Sequence, residues 1–277
     1  MATPQAKSGF IDINNAKIYY EIAGKGTPLV MIHAGVADSR QWNNEFRYFS
    51  QSNQVVRYDM RGYGKSEPVE GEFSHMSDLV SLLDALGIHE SLVVMGCSMG
   101  GGLAMDFALT HPSRVKGLIM VDAGPRGLEL DVAEPPQFAD AEKAFEAGNW
   151  DLLAEIETRI WFDGTGRTPE QVNQTMRKLL YEMDRLVLSH ESRQLGKRLP
   201  NTETSAVDRL GDLVIPVLII VGSHDIPYML AAADYMQEKI KFARKVIIED
   251  AAHIPNMDQP HEFQEIVKDF LASLPSD

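Results

Sequence analysis

Leu92-Val-Val-Met-Gly-Cys-Ser-Met-Gly100 carries a block of apolar, partly β-branched residues straight into a glycine-rich turn. Leu92 to Met95 read as a buried strand, and the small-residue stretch from Gly101 to Thr110 reads as a helix. Between them Gly96-Cys97-Ser98-Met99-Gly100 matches G-x-S-x-G. At ordinary Gly and Ser frequencies that pattern arises by chance in about one chain of this length in ten, so the context carries the weight. A strand that turns sharply into a helix holds its central serine in a strained conformation with the hydroxyl exposed. Glycines two before and two after let neighbouring backbone approach without a Cβ clash. The helix start that follows favours negative charge nearby. Gly101, Gly102 and Ala104 are expected to give that helix a smooth face against the sheet. The competing reading is a serine in a βα turn that binds phosphate or merely packs.

Outward from this turn, short Val- and Ile-rich runs alternate with helical patterns. Phe10 to Ile13 and Lys17 to Ile22 flank Asn14-Asn15 and read as an antiparallel hairpin. Pro28 to His33, Gln54 to Asp59, Ser91 to Gly96, Val115 to Val121, Pro216 to Val221 and Arg244 to Glu249 follow. The later runs are continuous rather than alternating, as in strands covered on both faces. Met76 to Leu86, Leu230 to Ile240 and Glu262 to Leu274 supply further helices. This predicts an α/β protein with a mostly parallel sheet and helices on both faces.

From Gly124 to Gly211 no strand pattern is visible. Thr168-Pro-Glu-Gln171 is a capping box with proline at the first helical position. Behind it Val172, Met176, Leu179, Leu180, Met183 and Val187 mark one helix face. Phe145, Trp150, Leu152, Leu153, Ile156, Ile160 and Trp161 mark one or two more helices, broken near Gly148-Asn149. The organisation expected is a core over residues 1–123 and 212–277, with a helical cap inserted over 124–211.

The chain's 277 residues, 44% of them hydrophobic, can bury a core without disulfides or metals to staple it. Lys and Arg total 26 against 40 Asp and Glu, a formal net charge of −14. Nucleic acid and anionic membrane surfaces are therefore poor partners. Cys97 is the single cysteine, so no internal disulfide can form. Met1 to Ser8 is polar with no apolar h-region, and no apolar run is long enough to span a bilayer. A cytoplasmic protein is expected. Gly24-Lys-Gly26 leads into a strand rather than a helix, no P-loop is present, and the eight histidines show no metal-ligand spacing. Neither metal nor cofactor is expected.

On these motifs the chain resembles the α/β-hydrolase fold superfamily, in its serine-nucleophile branch with a helical cap. The resemblance implies an eight-stranded, mostly parallel sheet and a chain order of Ser, acid, His. Ser98 takes the place of the nucleophile. Asp225, in Gly222-Ser-His-Asp-Ile-Pro227, stands where the family places its acid, and His253, in Asp250-Ala-Ala-His-Ile-Pro255, where it places its base. Both fall on loops at the carboxyl ends of strands, the sheet edge where such folds bind ligands. Asp122 is the reserve acid. His224, Asp250 and Asp258 read as loop or cap groups, and Cys97 as a small buried filler. The resemblance also implies an oxyanion hole of backbone N–H groups from Met99 and from the turn His33-Ala-Gly-Val36. Gly35 is the expected second donor, uncertain by one residue because Ala34 stands where the family usually has glycine. Asp59-Met-Arg-Gly-Tyr-Gly-Lys-Ser66 resembles a family stretch that shapes a crossover loop, and Trp42 reads as packing.

A serine at the elbow argues against relatives that open epoxides or displace halides with an aspartate. What remains is acyl transfer to water, with a carboxylic ester, lactone or thioester as substrate. Carbon–carbon hydrolysis of diketone-like compounds is the alternative on the same residues. A proline-releasing peptidase would need a cap carboxylate, for which Glu155, Glu157 and Asp163 are candidates. A non-turnover small-molecule receptor is a further alternative. His33, Val36, Met99, Trp161, Phe162, Met229 and Ile254 are the expected walls of a mostly apolar substrate pocket. The partner expected is a small molecule, and the Met, Trp and Phe of the insertion would permit a homodimer without requiring one.

Overall fold

A computed structural model describes residues 4–275; the first three residues of the Met1–Ser8 stretch lie outside it. Eight strands form one sheet: β1 (Lys7–Ile13), β2 (Ala16–Ala23), β3 (Pro28–Ile32), β4 (Gln54–Tyr58), β5 (Leu92–Cys97), β6 (Val115–Val121), β7 (Val217–Gly222) and β8 (Ala243–Ile248). They lie side by side in the order β1-β2-β4-β3-β5-β6-β7-β8. β1 pairs antiparallel with β2, and β2 with β4; every other pairing is parallel. Asn14 and Asn15 close the hairpin with φ of 48° and 67°, the left-handed pair that a two-residue turn between twisted strands requires. The strand order reverses at β3, which has β4 on one side and β5 on the other. Chain leaving β3 and β5 therefore parts to opposite faces and opens a crevice at their carboxyl ends.

The period of two along β5 builds both cores. Val93, Met95 and Cys97 point to one face, into a cluster with Phe46 and Phe49 of α1 (Asn43–Phe49). Phe263 and Val267 of α9 (Pro260–Ser273) complete that layer. Leu92 and Val94 point the other way, to Leu79 and Leu82 of α2 (His75–Ala85) and to Leu103 and Phe107 of α3 (Met99–Thr110). α7 (Pro227–Lys239) and the short α8 (Pro255–Asp258) finish the core. Each large side chain buried this way contributes about 1.5–3 kcal/mol relative to exposure.

Between β6 and β7 the chain forms α4 (Gln137–Glu146), α5 (Trp150–Thr158) and α6 (Gln174–Glu191). The break before α5 lies where the sequence places it: Gly148 has φ +64°, and the Asn149 side chain caps the Leu152 N–H. The Thr168 capping box is present in both halves, but it caps only a single turn, Pro169–Gln171. Asn173 caps α6 afresh by accepting from Thr175 and Met176 N–H. Val172, expected at the head of the helical stripe, is instead an extended residue between two caps. A second correction concerns the absence of strands here. Lys197–Arg198 pairs in parallel with Glu72–Phe73, a ladder too short to show any periodicity.

Arg167 fastens this inserted segment to the sheet edge. Its guanidinium lies 2.7 Å from Asp258, with both side chains mostly buried, and donates to Asp250 O, Phe162 O and Asp163 O. Asp59 accepts from Ser39 and Lys65 N–H, and Arg61 makes a buried bidentate pair with Asp78. The Asp59–Ser66 stretch is thus a tied crossover loop.

One buried carboxyl belongs to the fold rather than the crevice. Glu45 accepts from Asn256 Nδ2 (3.0 Å) and Gln264 Nε2 (3.2 Å), and burial pushes its pKa up to about 7. The folded state holds this proton more tightly than the unfolded chain. The contribution is therefore full below about pH 4.5 and lost as pH rises through about 7. Glu45→Gln removes that titration. In urea unfolding at pH 5 and pH 8, the stability difference between variant and wild type is expected to move in the variant's favour by about 2 kcal/mol. A difference that ignores pH would show that Glu45 does not titrate in this range.

Candidate active site

β5 delivers Ser98 at φ 52°, ψ −116°, backbone space that costs a non-glycine residue on the order of 1–3 kcal/mol. Ser98 N–H donates to Val121 O at 2.9 Å, and Gly102 N–H to Ser98 O at 3.0 Å, which pins the turn between β6 and the first turn of α3. A Cβ on Gly96 would stand 2.1 Å from Gly100 O, and one on Gly100 would stand 2.4 Å from His33 O. A Cβ on Gly101 would stand 2.4 Å from Ala123 Cβ. Gly102 does not share this face: a Cβ there would meet nothing within 4 Å, because the residue looks into a cavity.

Asp225 follows β7 and His253 follows β8, so both arrive at the edge where Ser98 stands. Asp225 is fully buried. Its Oδ1 accepts from Ile226 N–H, and its Oδ2 lies 2.7 Å from His253 Nδ1. A carboxylate on Nδ1 fixes the proton there and leaves the lone pair on Nε2. Ser98 Oγ and His253 Nε2 make no hydrogen bond to described residues, and Ser98 is half-exposed. The Trp161 indole lies over the imidazole with ring centroids 4.4 Å apart, and its other neighbour is Phe138.

Asp122, at the end of β6, stands beside this pair rather than in place of it. It has φ 43°, and its Oδ1 accepts from Gly222 N–H at 2.9 Å. Its Oδ2 is buried with no N–H or O–H donor facing it. Burial first, then the charge of Asp225, push the Asp122 carboxyl well above the usual range. In its neutral form the carboxyl can donate a hydrogen bond to Asp225. Ligand atoms of Asp122, Asp225 and His253 lie within 4.8 Å of one another, a metal-like grouping. The direct His253–Asp225 hydrogen bond already engages two of the atoms an ion would use.

Met99 opens α3 immediately after the serine. A Cβ on Gly35 would lie 3.7 Å from Met99 Cβ, so the two residues face each other across the crevice. Ala34 N–H is taken by Gln41 Oε1 at 2.9 Å, which leaves Gly35 N–H as the open donor of the two alternatives. His33 is corrected from pocket wall to scaffold. It is fully buried; Nδ1 donates to Ala34 O, and Nε2 accepts from Met60 N–H. Phe162 and Ile254, 1% exposed each, are likewise core residues rather than walls, and Val36 packs on the same core. Cys97 is buried with its thiol toward His253 O, and burial pushes the thiol pKa up. His224 turns away to Thr165 O.

Beside Ser98 lies a cavity of about 490 Å³, walled by Met99, Leu103 and Met229 and also by Arg126 and Arg198. The two arginines change the expected character of the pocket. Sequence reasoning missed them because an arginine in an irregular segment carries no signal of where it points.

A strained serine and a buried His–Asp pair at a strand-order reversal define a hydrolase of the α/β class. The chain belongs to that family, and a model for the alpha/beta hydrolase fold matches residues 27–260. It is 27% identical over 239 residues to 3-oxoadipate enol-lactonase 1 of Acinetobacter baylyi, covering 86% of this chain and 85% of that one. It is 25% identical over 277 residues to 2-hydroxy-6-oxo-6-phenylhexa-2,4-dienoate hydrolase of Comamonas testosteroni, covering 96% and 95%. The enol-lactonase from Burkholderia xenovorans shares the fold with a TM-score of 0.78 at 22% identity, over 96% of this chain and all of that one.

Two neighbouring glycines should respond oppositely to a methyl group. Gly100→Ala forces a Cβ into backbone and should destabilise the protein by about 3 kcal/mol or more. Gly102→Ala adds a helix former in open space and should raise stability by up to about 1 kcal/mol. Thermal unfolding of both variants checks the pair; equal effects would contradict the close approach at Gly100.

Proposed function

We propose that the protein is a serine hydrolase that cleaves a small carboxylic ester or lactone through an acyl-enzyme on Ser98. The observation that carries this reading is the buried 2.7 Å hydrogen bond between His253 and Asp225 at the edge where the strained serine stands. In this reading Ser98 Oγ attacks the substrate carbonyl while its proton passes to His253 Nε2. Negative charge gathers on the former carbonyl oxygen, where Met99 and Gly35 N–H groups donate to it at no reorganisation cost. His253 returns the proton to the departing alkoxide as the C–O bond breaks. Water, deprotonated by His253, then releases the acid and restores Ser98. Asp225 orients the imidazole and stabilises its charged form, and Asp122 donates to Asp225 from behind. Thioesters fit the same cycle.

The peptidase alternative loses support because its three candidate amine anchors are each engaged elsewhere. Glu155 and Asp163 both pair with Arg177, at 2.8 and 2.9 Å, and Glu157 is hydrogen-bonded to Asp184. Hydrolysis of a 2-hydroxy-6-oxo-dienoate is the activity named for the Comamonas relative, and carbon–carbon cleavage of such a diketone-like compound would use the same residues.

p-Nitrophenyl esters of graded chain length, run on wild type and Ser98→Ala, test the proposal. Wild type is expected to turn over short or medium esters, and the variant to lose roughly 10³-fold or more in kcat/KM. An inert wild type whose Ser98 still takes a phosphonate label would move the reading to carbon–carbon cleavage. A serine neither labelled nor needed would overturn it.

Asp122 can be tested separately. Asp122→Asn keeps an acceptor for Gly222 N–H and a donor for Asp225, whereas Asp122→Leu keeps neither. The leucine variant is expected to fall about 10–100-fold below the asparagine variant in kcat/KM, the value of one hydrogen bond to a charged group. Equal activities would remove Asp122 from the machinery.

A further inference from the structure

Arg198 lies in the two-residue ladder with Glu72–Phe73, where Lys197 N–H donates to Gly71 O and Leu199 N–H to Phe73 O. From this tied backbone its side chain reaches back over the elbow. Nη1 stands 2.8 Å from Met99 Sδ, and Tyr63 Oη approaches the same sulfur at 3.6 Å. The guanidinium therefore overhangs the residue next to Ser98. It lines both the serine's cavity and a neighbouring one of about 250 Å³.

The charges around it leave this cation unmatched. Among the described residues no carboxylate comes within ion-pair distance of Arg198; its one polar contact is a thioether, a weak acceptor for a group with five N–H donors. Arg126, the other arginine of the wall, is already engaged: it donates to Thr202 Oγ1 and Thr204 O and lies 3.6 Å from Asp106. Asp106 in turn accepts from Asn201 Nδ2 at 3.0 Å, so that acid and that base answer each other. His75, between the two cavities, stays neutral because burial holds its pKa down at about 3. Glu191 lines the second cavity but not the serine's; the Arg198 charge reaches its carboxyl through space, without an ion pair between them. The wall beside Ser98 thus presents, on the exposed Arg198 side chain, a positive charge that no carboxylate contacts directly. It is presented by a planar fork suited to a carboxylate.

We propose that Arg198 anchors a carboxylate on the acyl part of the substrate, so that the natural substrate is anionic: a half-ester of a dicarboxylic acid, or a lactone bearing a carboxylate. This rests on the hydrolase reading of Ser98 and narrows its substrate class. Met99, Leu103 and Met229 cover the methylene chain between the reacting carbonyl and the charged end. The tied ladder holds the arginine at a set reach, so acyl length is selected as well as charge.

The test is a matched series. Mono-methyl succinate, adipate and suberate are compared with methyl butyrate, hexanoate and octanoate, by pH-stat, on wild type, Arg198→Met and Arg198→Lys. At the best length, the ratio of kcat/KM for half-ester over neutral ester is expected to fall roughly 10–100-fold in Arg198→Met, with Arg198→Lys between. A ratio of internal controls is insensitive to general damage by the substitution. In parallel, adipate binding to Ser98→Ala is measured by calorimetry with and without Arg198→Met and is expected to weaken at least tenfold with it. An unchanged ratio together with unchanged adipate binding would overturn the subsite while leaving Ser98-dependent ester cleavage standing. If neither ester series shows Ser98-dependent turnover, the ester-cleaving reading fails. The calorimetry then decides the subsite alone: binding lost with Arg198 upholds it, and binding absent or indifferent to Arg198 removes it.

Discussion

At the carboxyl end of β5 backbone passes backbone more closely than any side chain would allow. Gly96 lies against Gly100 O, Gly100 against His33 O, and Gly101 against Ala123. That approach lets α3 begin directly over the sheet, so the chain turns from strand to helix within one residue. Ser98 absorbs the whole change of direction in its own backbone, at φ 52°. The strain persists because the turn is held from both sides, by Val121 O and by the first helical hydrogen bond. The crevice follows from the same constraint. Met99 is brought to face the β3 loop, and the end of β6 is brought to face the loops that carry Asp225 and His253.

The sheet was legible in the sequence because its signals are local. Val- and Ile-rich runs bounded by Gly, Pro and Asn place the eight strands to within a residue or two in most cases, and Asn14-Asn15 names its own turn. Legibility failed where the deciding contact is distant or two local signals compete. Thr168 and Asn173 are both good caps five residues apart, and only packing selects which one begins α6. His33 looks like a crevice residue by position, yet Met60 N–H and Ala34 O consume both ring nitrogens. Ser98, Asp225 and His253 could be nominated from chain order. The neutral Asp122 behind Asp225 could not, because its state depends on two strand ends meeting. Arg198 left no trace at all: a two-residue ladder has no period, and its target, Met99, is 99 positions away.

Electrostatics divides the molecule into an acidic exterior and a crevice with its own balance. Of the acids behind the formal net charge of −14, those on the surface keep the exterior acidic, while Asp38, Asp59, Asp78, Asp106, Asp163 and Asp184 are buried in the fold. Inside, Asp122 and Asp225 share a small volume in which two full negative charges would be costly, and keeping one of them neutral resolves the conflict. A few residues away the cavity wall carries the opposite sign in Arg198. A gradient from cation to carboxylate therefore runs past the serine, fixed by ladder, strand end and loop rather than by mobile side chains on a helix face.

The three groups at the elbow come from β5, β7 and β8, separated by more than a hundred residues of chain between the first and the second. No fragment shorter than the stretch from Ser98 to His253 contains all three, and the left-handed backbone at Ser98 has no reason to survive outside the assembled sheet. Reactivity at this one hydroxyl is in consequence a readout of long-range order. A reagent that consumes the serine counts molecules whose central strands are in register, and the slow tail of such a reaction times how fast the remainder come into register.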